Sequence, residues 1–379
     1  MSSRAERLLE LGQSVWLDFI RRGHLVSGEF DRLVRDSGVV GVTSNPTIFQ
    51  QAIAQSHDYD EALTARIAKG LEGPALFESL AVEDIQMACD RLREVWERTE
   101  RRDGRVSIEV NPPVAHDTQG TIAEARRLHR SVARGNLLVK VPATPEGLPA
   151  ITALIAEGIS INVTLIFSLA RYRQVIDAYL SGLERRAAKG QPLADLWSVA
   201  SFFVSRVDSK VDAEIEKALA SAPTAARAEL ESLRGQAAVA NARLAYAEFE
   251  TVIRSPRWEA LRSRGAKPQR PLWASTSTKN PAYPDTLYVD ELIGADTVNT
   301  MPLQTLAAFN DHGKLERSIG HDLEGARRLF ERLPALGVPI DALIDQLETE
   351  GVKAFAASYD SLLASLESRR RELAGARGS

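Results

Sequence analysis

The sequence of 379 residues holds a single cysteine, Cys89, which excludes an internal disulfide framework and any CxxC redox or metal pair. Neither sign of charge is in excess, since 47 Lys and Arg stand against 51 Asp and Glu, a formal net of −4. Nucleic-acid binders normally cluster a basic surplus, so neither nucleic acid nor another polyanion is an expected partner. Long hydrophobic runs are missing too. The most apolar window, Gly158 to Ala170, is broken by Ser160, Asn162 and Thr164 and is too short to cross a bilayer, so no membrane association is expected. The opening stretch MSSRAERLLELGQ mixes both charges without the apolar core of a signal peptide, which leaves the cytoplasm as the expected compartment. The 6 histidines form no HExxH or other ligand spacing, so no metal is expected. No GxGxxG follows the first strand-like run, and no GxxxxGK loop, GxSxG elbow or clear repeat occurs.

What is present is ordinary globular composition, 44% hydrophobic and 26% charged, with enough apolar surface to offset the entropy of ordering the chain. Short apolar runs alternate with longer helical patterns. Strands are expected at Ser14–Phe19, Val39–Thr43, Val106–Val110, Asn136–Val141, Ile159–Thr164, Val199–Phe203, Pro271–Ser275 and Asp296–Asn299. Helices are expected over Ala75–Glu100, Thr121–Ala133, Ser168–Arg186 and Ala237–Ile253. Strand followed by helix, repeated, implies parallel strands with crossover helices. Such an order fits a closed barrel or an open doubly wound sheet, and the missing dinucleotide fingerprint favours an α/β (β/α)8 TIM barrel.

Length alone allows two or three domains, but the strand count predicts one domain over 1–379 with extra helices. These are a helical insert over about 207–255 and a C-terminal helix over about 342–366, followed by a frayed tail at 369–379. Gly38, Gly104, Gly135 and Gly158 precede strands, as helix-to-strand turns require. The stretch Arg262–Arg270 reads as a basic surface loop, and Trp96, Trp197 and Trp258 read as core.

Parallel strands buried on both faces are normally unbroken apolar runs. Here polar residues interrupt them with period two: Ser14 and Asp18, Ser107 and Glu109, Asn136 and Lys140, Ser160, Asn162 and Thr164. One such residue is ordinarily a satisfied core hydrogen bond. Asp18, Asn45, Glu109, Lys140, Asn162 and Thr164 together, all toward the C-terminal ends of their strands, mark the end where barrel enzymes assemble their sites.

Lys140 sets the chemistry. Mid-strand, between Val139 and Val141, its amine is taken out of water, and desolvation favours the neutral, nucleophilic form. Such an amine adds to a carbonyl and forms a Schiff base, whose iminium accepts electrons from a carbon–carbon bond beside it. Two carboxylates, Asp18 and Glu109, are available to move protons. The alternative for Lys140 is a structural ion pair with one of them. Arg206 after strand six and Lys279 after strand seven are cations suited to a phosphate site on late barrel loops.

These residues lie in blocks that resemble a known family, the transaldolases: GVTSNPTIF (41–49), IEVNP (108–112), LLVKVPAT (137–144), INVTLIFS (161–168), SFFVSRVD (201–208) and WASTSTKNPAYPDTLY (273–288). The resemblance runs through nearly the whole chain. It implies a (β/α)8 barrel and a class I Schiff-base mechanism without metal or other cofactor. It further implies transfer of a dihydroxyacetone unit between sugar phosphates, the expected small-molecule partners, by a monomer or homodimer.

By position, the resemblance makes Lys140 the Schiff-base lysine, Asp18 the acid/base acting on the C4 hydroxyl, and Glu109 with Thr164 the holders of the water of imine formation. It makes Asn45, Asn162 and Ser201 hydroxyl-binding residues and Arg206 a phosphate ligand. Strand seven departs from the pattern GASFRN. Ser275 can be placed, but the arginine two residues on is Ser277 here, and Lys279 is the candidate to replace its charge. Related fructose-6-phosphate aldolases tend to carry Gln in place of Glu109 and Tyr in place of Phe203, which favours a transferase over an aldolase here. Two rival readings stand beside it, a Schiff-base aldolase and a catalytically silent barrel acting as a scaffold.

Overall fold

The computed structural model describes residues 3–375. Eight parallel strands close on themselves in chain order. They are β1 (Gln13–Leu17), β2 (Val39–Val42), β3 (Arg105–Glu109), β4 (Leu137–Pro142), β5 (Ile161–Ile166), β6 (Ser198–Phe203), β7 (Gln269–Ala274) and β8 (Thr297–Met301). β8 pairs with β1 from Gln13↔Thr297 to Leu17↔Met301, so no strand edge is left open. All eight expected strands are found, each end within two residues of its expected position, as a closed (β/α)8 barrel.

The helices around the barrel start where sequence chemistry tells them to. Asn45, Asp117 and Ser168 cap the helices Pro46–Ala54, Thr118–Val132 and Leu169–Ala188, each side chain accepting a backbone N–H of the first turn. Gly38, Gly104 and Gly158 lead into β2, β3 and β5 with φ of 73°, 71° and 97°. Gly135 does not take that role. The helix before β4 ends earlier, and Ala133 makes the left-handed turn at φ 50°.

Between β6 and β7 lie four helices, Ser205–Ser221, Thr224–Ser232, Ala237–Ile253 and Pro256–Arg262. The terminal helix Ile340–Gly375 is longer than expected and takes in residues 369–375 of the stretch expected to fray. Arg369 holds it there through Asp60, at 2.9 Å from Nε to Oδ1. Positions 376–379 lie outside the described residues. Among the described residues no helix is long and apolar enough to cross a membrane.

The surface loop expected at Arg262–Arg270 is also corrected at its end. Arg270 lies in β7, whose alternation turns its guanidinium into the bottom of the barrel, where it is 2% exposed. Its Nη1 lies 3.1 Å from Asp103 Oδ1, and Nη2 donates to Ser14 Oγ at 2.5 Å and to the Thr297 carbonyl at 2.7 Å. Of the three tryptophans expected in the core, Trp197 and Trp258 are buried. Trp96 is half-buried, with the Arg101 guanidinium 5.2 Å from its ring.

Candidate active site

The opposite end of the barrel opens into a cavity of about 530 Å³. Lys140 reaches it from the middle of β4, with its neighbours Val139 and Val141 fully buried. Its Nζ lies 3.1 Å from Glu109 Oε2, the residue directly across the β3–β4 ladder, and donates to the Ser44 carbonyl at 3.1 Å. The two side chains are only 5% and 7% exposed. Asp18 follows β1 on the far side of the cavity and accepts a hydrogen bond from Thr43 Oγ1 at 2.6 Å, with Thr300 Oγ1 a further 2.7 Å from Thr43.

Burial dominates the electrostatics of both carboxylates. It pushes the Asp18 carboxyl above its ordinary value, against the pull of Thr43, Lys140 and Lys279. Glu109 is pushed up by burial as well, with the Lys140 ammonium as the main opposing influence. A carboxylate that holds its proton more readily than usual, next to an amine, suits proton transfer.

Thr164 lines the same cavity, and its Oγ1 is buried without a protein partner, so its hydrogen bond is left for a reacting molecule. Asn45 lines it too. Its Oδ1 is committed to Ile48 N at 3.0 Å, which leaves the amide NH₂ to bind a hydroxyl. Asn162 sits one layer deeper, fully buried, donating to Ser107 Oγ at 3.0 Å and accepting from Ser201 Oγ at 2.7 Å. It therefore acts on the cavity through Ser201, which lines it.

Two further cations, Arg206 and Lys279, line the cavity. Arg206 stands on the first turn of the helix after β6, its guanidinium 5.5 Å from the Phe203 ring and 5.9 Å from the Phe355 ring, and burial lowers its proton affinity. Lys279 donates to Ser277 Oγ at 2.7 Å. Burial lowers Lys279 most, and the charge of Arg206, which lines the same cavity, adds to the effect. Ser275, at φ 57°, turns the chain out of β7 and shares a 2.8 Å hydroxyl contact with Ser205. Among the described residues no group of three or more His, Cys, Asp or Glu side chains is placed to hold a metal ion.

Of the expected site residues, all but Glu109 and Asn162 line this cavity, and those two contact Lys140 and Ser201, which do. Thr43, Thr300, Gln51, Gln304 and Phe355 line the cavity without having been expected. Thr43 carries a weak signal in its block TSNP beside Asn45. Phe355 carries none, since it is one apolar residue in an amphipathic helix.

Residues 15–366 match the family described as transaldolase/fructose-6-phosphate aldolase. Among curated relatives, the transaldolase of Frankia alni is 50% identical over 367 residues, 97% of each chain. That of Acidothermus cellulolyticus is 49% identical over 98% of this chain and 99% of its own. That of Mycobacterium ulcerans is 48% identical over 99% and 100%.

Proposed function

Because the chain belongs to the transaldolase/fructose-6-phosphate aldolase family and shares about half its residues with full-length transaldolases, it is a transaldolase of the pentose phosphate pathway; we propose that it works through a Schiff base on Lys140. The observation that supports this most directly is the buried Lys140, paired with Glu109 at 3.1 Å and opening into one cavity with Asp18, Arg206 and Lys279. The Lys140 amine adds to the C2 carbonyl of a ketose phosphate such as sedoheptulose 7-phosphate. Glu109 donates the proton with which the carbinolamine hydroxyl leaves as water, Thr164 holds that water, and the iminium forms.

Asp18 then takes the C4 hydroxyl proton. The C3–C4 bond breaks, its electrons pass to the iminium, and erythrose 4-phosphate departs from the resulting enamine. Attack of enamine C3 on the aldehyde of glyceraldehyde 3-phosphate, with Asp18 returning the proton, yields fructose 6-phosphate after hydrolysis. No metal or other cofactor enters these steps. Asn45, Asn162 through Ser201, and Ser275 orient the dihydroxyacetone unit. Arg206 and Lys279 hold the phosphate, Lys279 supplying the charge that strand seven lacks at Ser277.

Phe203 lacks the hydroxyl with which a tyrosine there could protonate the enamine, so the enamine waits for an aldehyde. Purified protein given fructose 6-phosphate alone should release at most about one equivalent of aldehyde per site, and sustained turnover should appear only with erythrose 4-phosphate. Continuous dihydroxyacetone release without acceptor would assign the protein to the aldolase reading instead. The balanced charge and the one buried thiol, Cys89, fit a cytoplasmic setting, and a monomer or homodimer is the expected state.

Asp18 gives a prediction on two axes. Its folded-state pKa is raised, so the fold disfavours the carboxylate form relative to the unfolded chain. The group therefore contributes stability while protonated, below its unfolded value, and that contribution is lost as pH rises through the folded value. Asp18→Asn should raise the melting temperature at pH 7, and the gain should vanish in acid. Its kcat should fall by roughly 10²–10⁴-fold while borohydride still traps the imine. Normal turnover in that variant would remove Asp18 from the cleavage step.

A further inference from the structure

The enamine has two fates, and Phe203, which withholds one acid from it, leaves solvent as another. Attack on an aldehyde forms a carbon–carbon bond. Protonation at C3 by water or a solvent-borne acid instead gives the dihydroxyacetone iminium. Water then adds at C2, the C2–N bond breaks, and dihydroxyacetone leaves. Protonation at C3 needs an acid to reach the adduct while it waits, so whatever covers Lys140 in that state bears on the outcome.

The cover comes from the terminal helix. Phe355, 5% exposed, lines the cavity, and its ring centroid lies 5.9 Å from Lys140 Nζ and 5.9 Å from Arg206 Cζ. The seat of this ring is built in. Gly351, one turn earlier, lies so close to the end of β5 that a Cβ there would come within 2.9 Å of Leu165 Cδ2 and 3.4 Å of Phe167 Cε2. A glycine in a helix interior weakens the helix, so its use here has a packing reason. One turn past Gly351 sits Phe355, and three residues on, Ser358 Oγ accepts from Thr47 Oγ1 at 2.8 Å, tying the helix to the one that Asn45 caps. Arg171 and Glu348 clamp the other side at 2.8 Å.

We infer that Phe355 is a specificity-determining residue of the transfer reaction: its ring roofs the Lys140 adduct, favours the cationic iminium on the path to cleavage, and keeps water from the enamine until an aldehyde arrives. The ring face attracts a desolvated cation, and its edge occupies the space that water would need. This rests on the Schiff-base transferase reading above and adds to it the element that suppresses the hydrolytic branch.

The test compares Phe355→Ala, Phe355→Leu and Gly351→Val, the last keeping the ring but lifting the helix that carries it. Dihydroxyacetone released from fructose 6-phosphate without acceptor is measured against transfer to erythrose 4-phosphate, each per borohydride-trappable site. The ratio should rise roughly tenfold in Phe355→Ala, less in Phe355→Leu, and rise again in Gly351→Val. Counting only trappable sites removes any loss from misfolding. An acceptor-dependent wild type whose ratio is unchanged in Phe355→Ala would overturn the roof alone, as would rates that fall in parallel. Free dihydroxyacetone from the wild type would overturn the transferase reading itself.

Discussion

Lys140→Met is expected to lose all borohydride trapping with fructose 6-phosphate and to lower turnover by roughly 10⁴-fold or more. Methionine matches the length and volume of the lysine stem, so the packing between Val139 and Val141 and against Phe355 is retained and only the nucleophile is removed. The substitution also takes away the charge that opposes the burial of Glu109. Glu109 then binds a proton more readily still, which lessens the cost of leaving its carboxyl buried without a partner. The melting temperature should accordingly be unchanged or higher, which separates chemistry from folding. Mass spectrometry of tryptic peptides reads the result: wild type carries the reduced dihydroxyacetone adduct on the Lys140 peptide, and the variant carries none. An adduct on Lys279, the other lysine of the cavity, would overturn the assignment.

The features that made Lys140 visible in the sequence explain what else was visible there. A parallel strand buried on both faces admits few polar residues, so Asp18, Glu109, Lys140 and Thr164 stood out against Val, Ile and Leu, and period two put them on one face. The eight strands were legible for the same reason. Other parts depend on partners far away in the chain. Arg270 looked like the end of a basic loop because Asp103, which neutralises it, is 167 residues earlier. Phe355 gave no signal because only the path of the terminal helix brings it over Lys140. Thr43 and Thr300 are ordinary strand residues until closure of the barrel sets their hydroxyls 2.7 Å apart beside Asp18. The left-handed turn at Ala133 was hidden because Gly135 offered itself two residues later.

Asp103→Ala is expected to destabilise the protein by about 3–5 kcal/mol while leaving the activity of the folded fraction intact. Asp103 lies at the bottom of the barrel, away from the cavity, 3% exposed, and collects Ser14 Oγ at 2.9 Å and Trp16 Nε1 at 3.3 Å as well as Arg270. Removing it leaves the Arg270 guanidinium buried without a counter-charge, in a place where burial already lowers its proton affinity. Arginine cannot relieve this by giving up its proton at pH 7, whereas Glu109 in the Lys140 variant can take one up, so here the cost falls on the fold. Removing both charges is a different matter. Asp103→Leu combined with Arg270→Met puts apolar volume where two desolvated ions stood, and should recover most of the loss or exceed it. Urea melts of Asp103→Leu, Arg270→Met, the pair and the wild type close a double-mutant cycle, in which the midpoint should move at constant slope and the coupling should exceed about 1 kcal/mol. Additive losses would mean that Ser14 and the Thr297 carbonyl satisfy Arg270 without Asp103. Because Lys140 stays trappable in every variant, the cycle separates the end of the barrel that holds the fold from the end that does the chemistry.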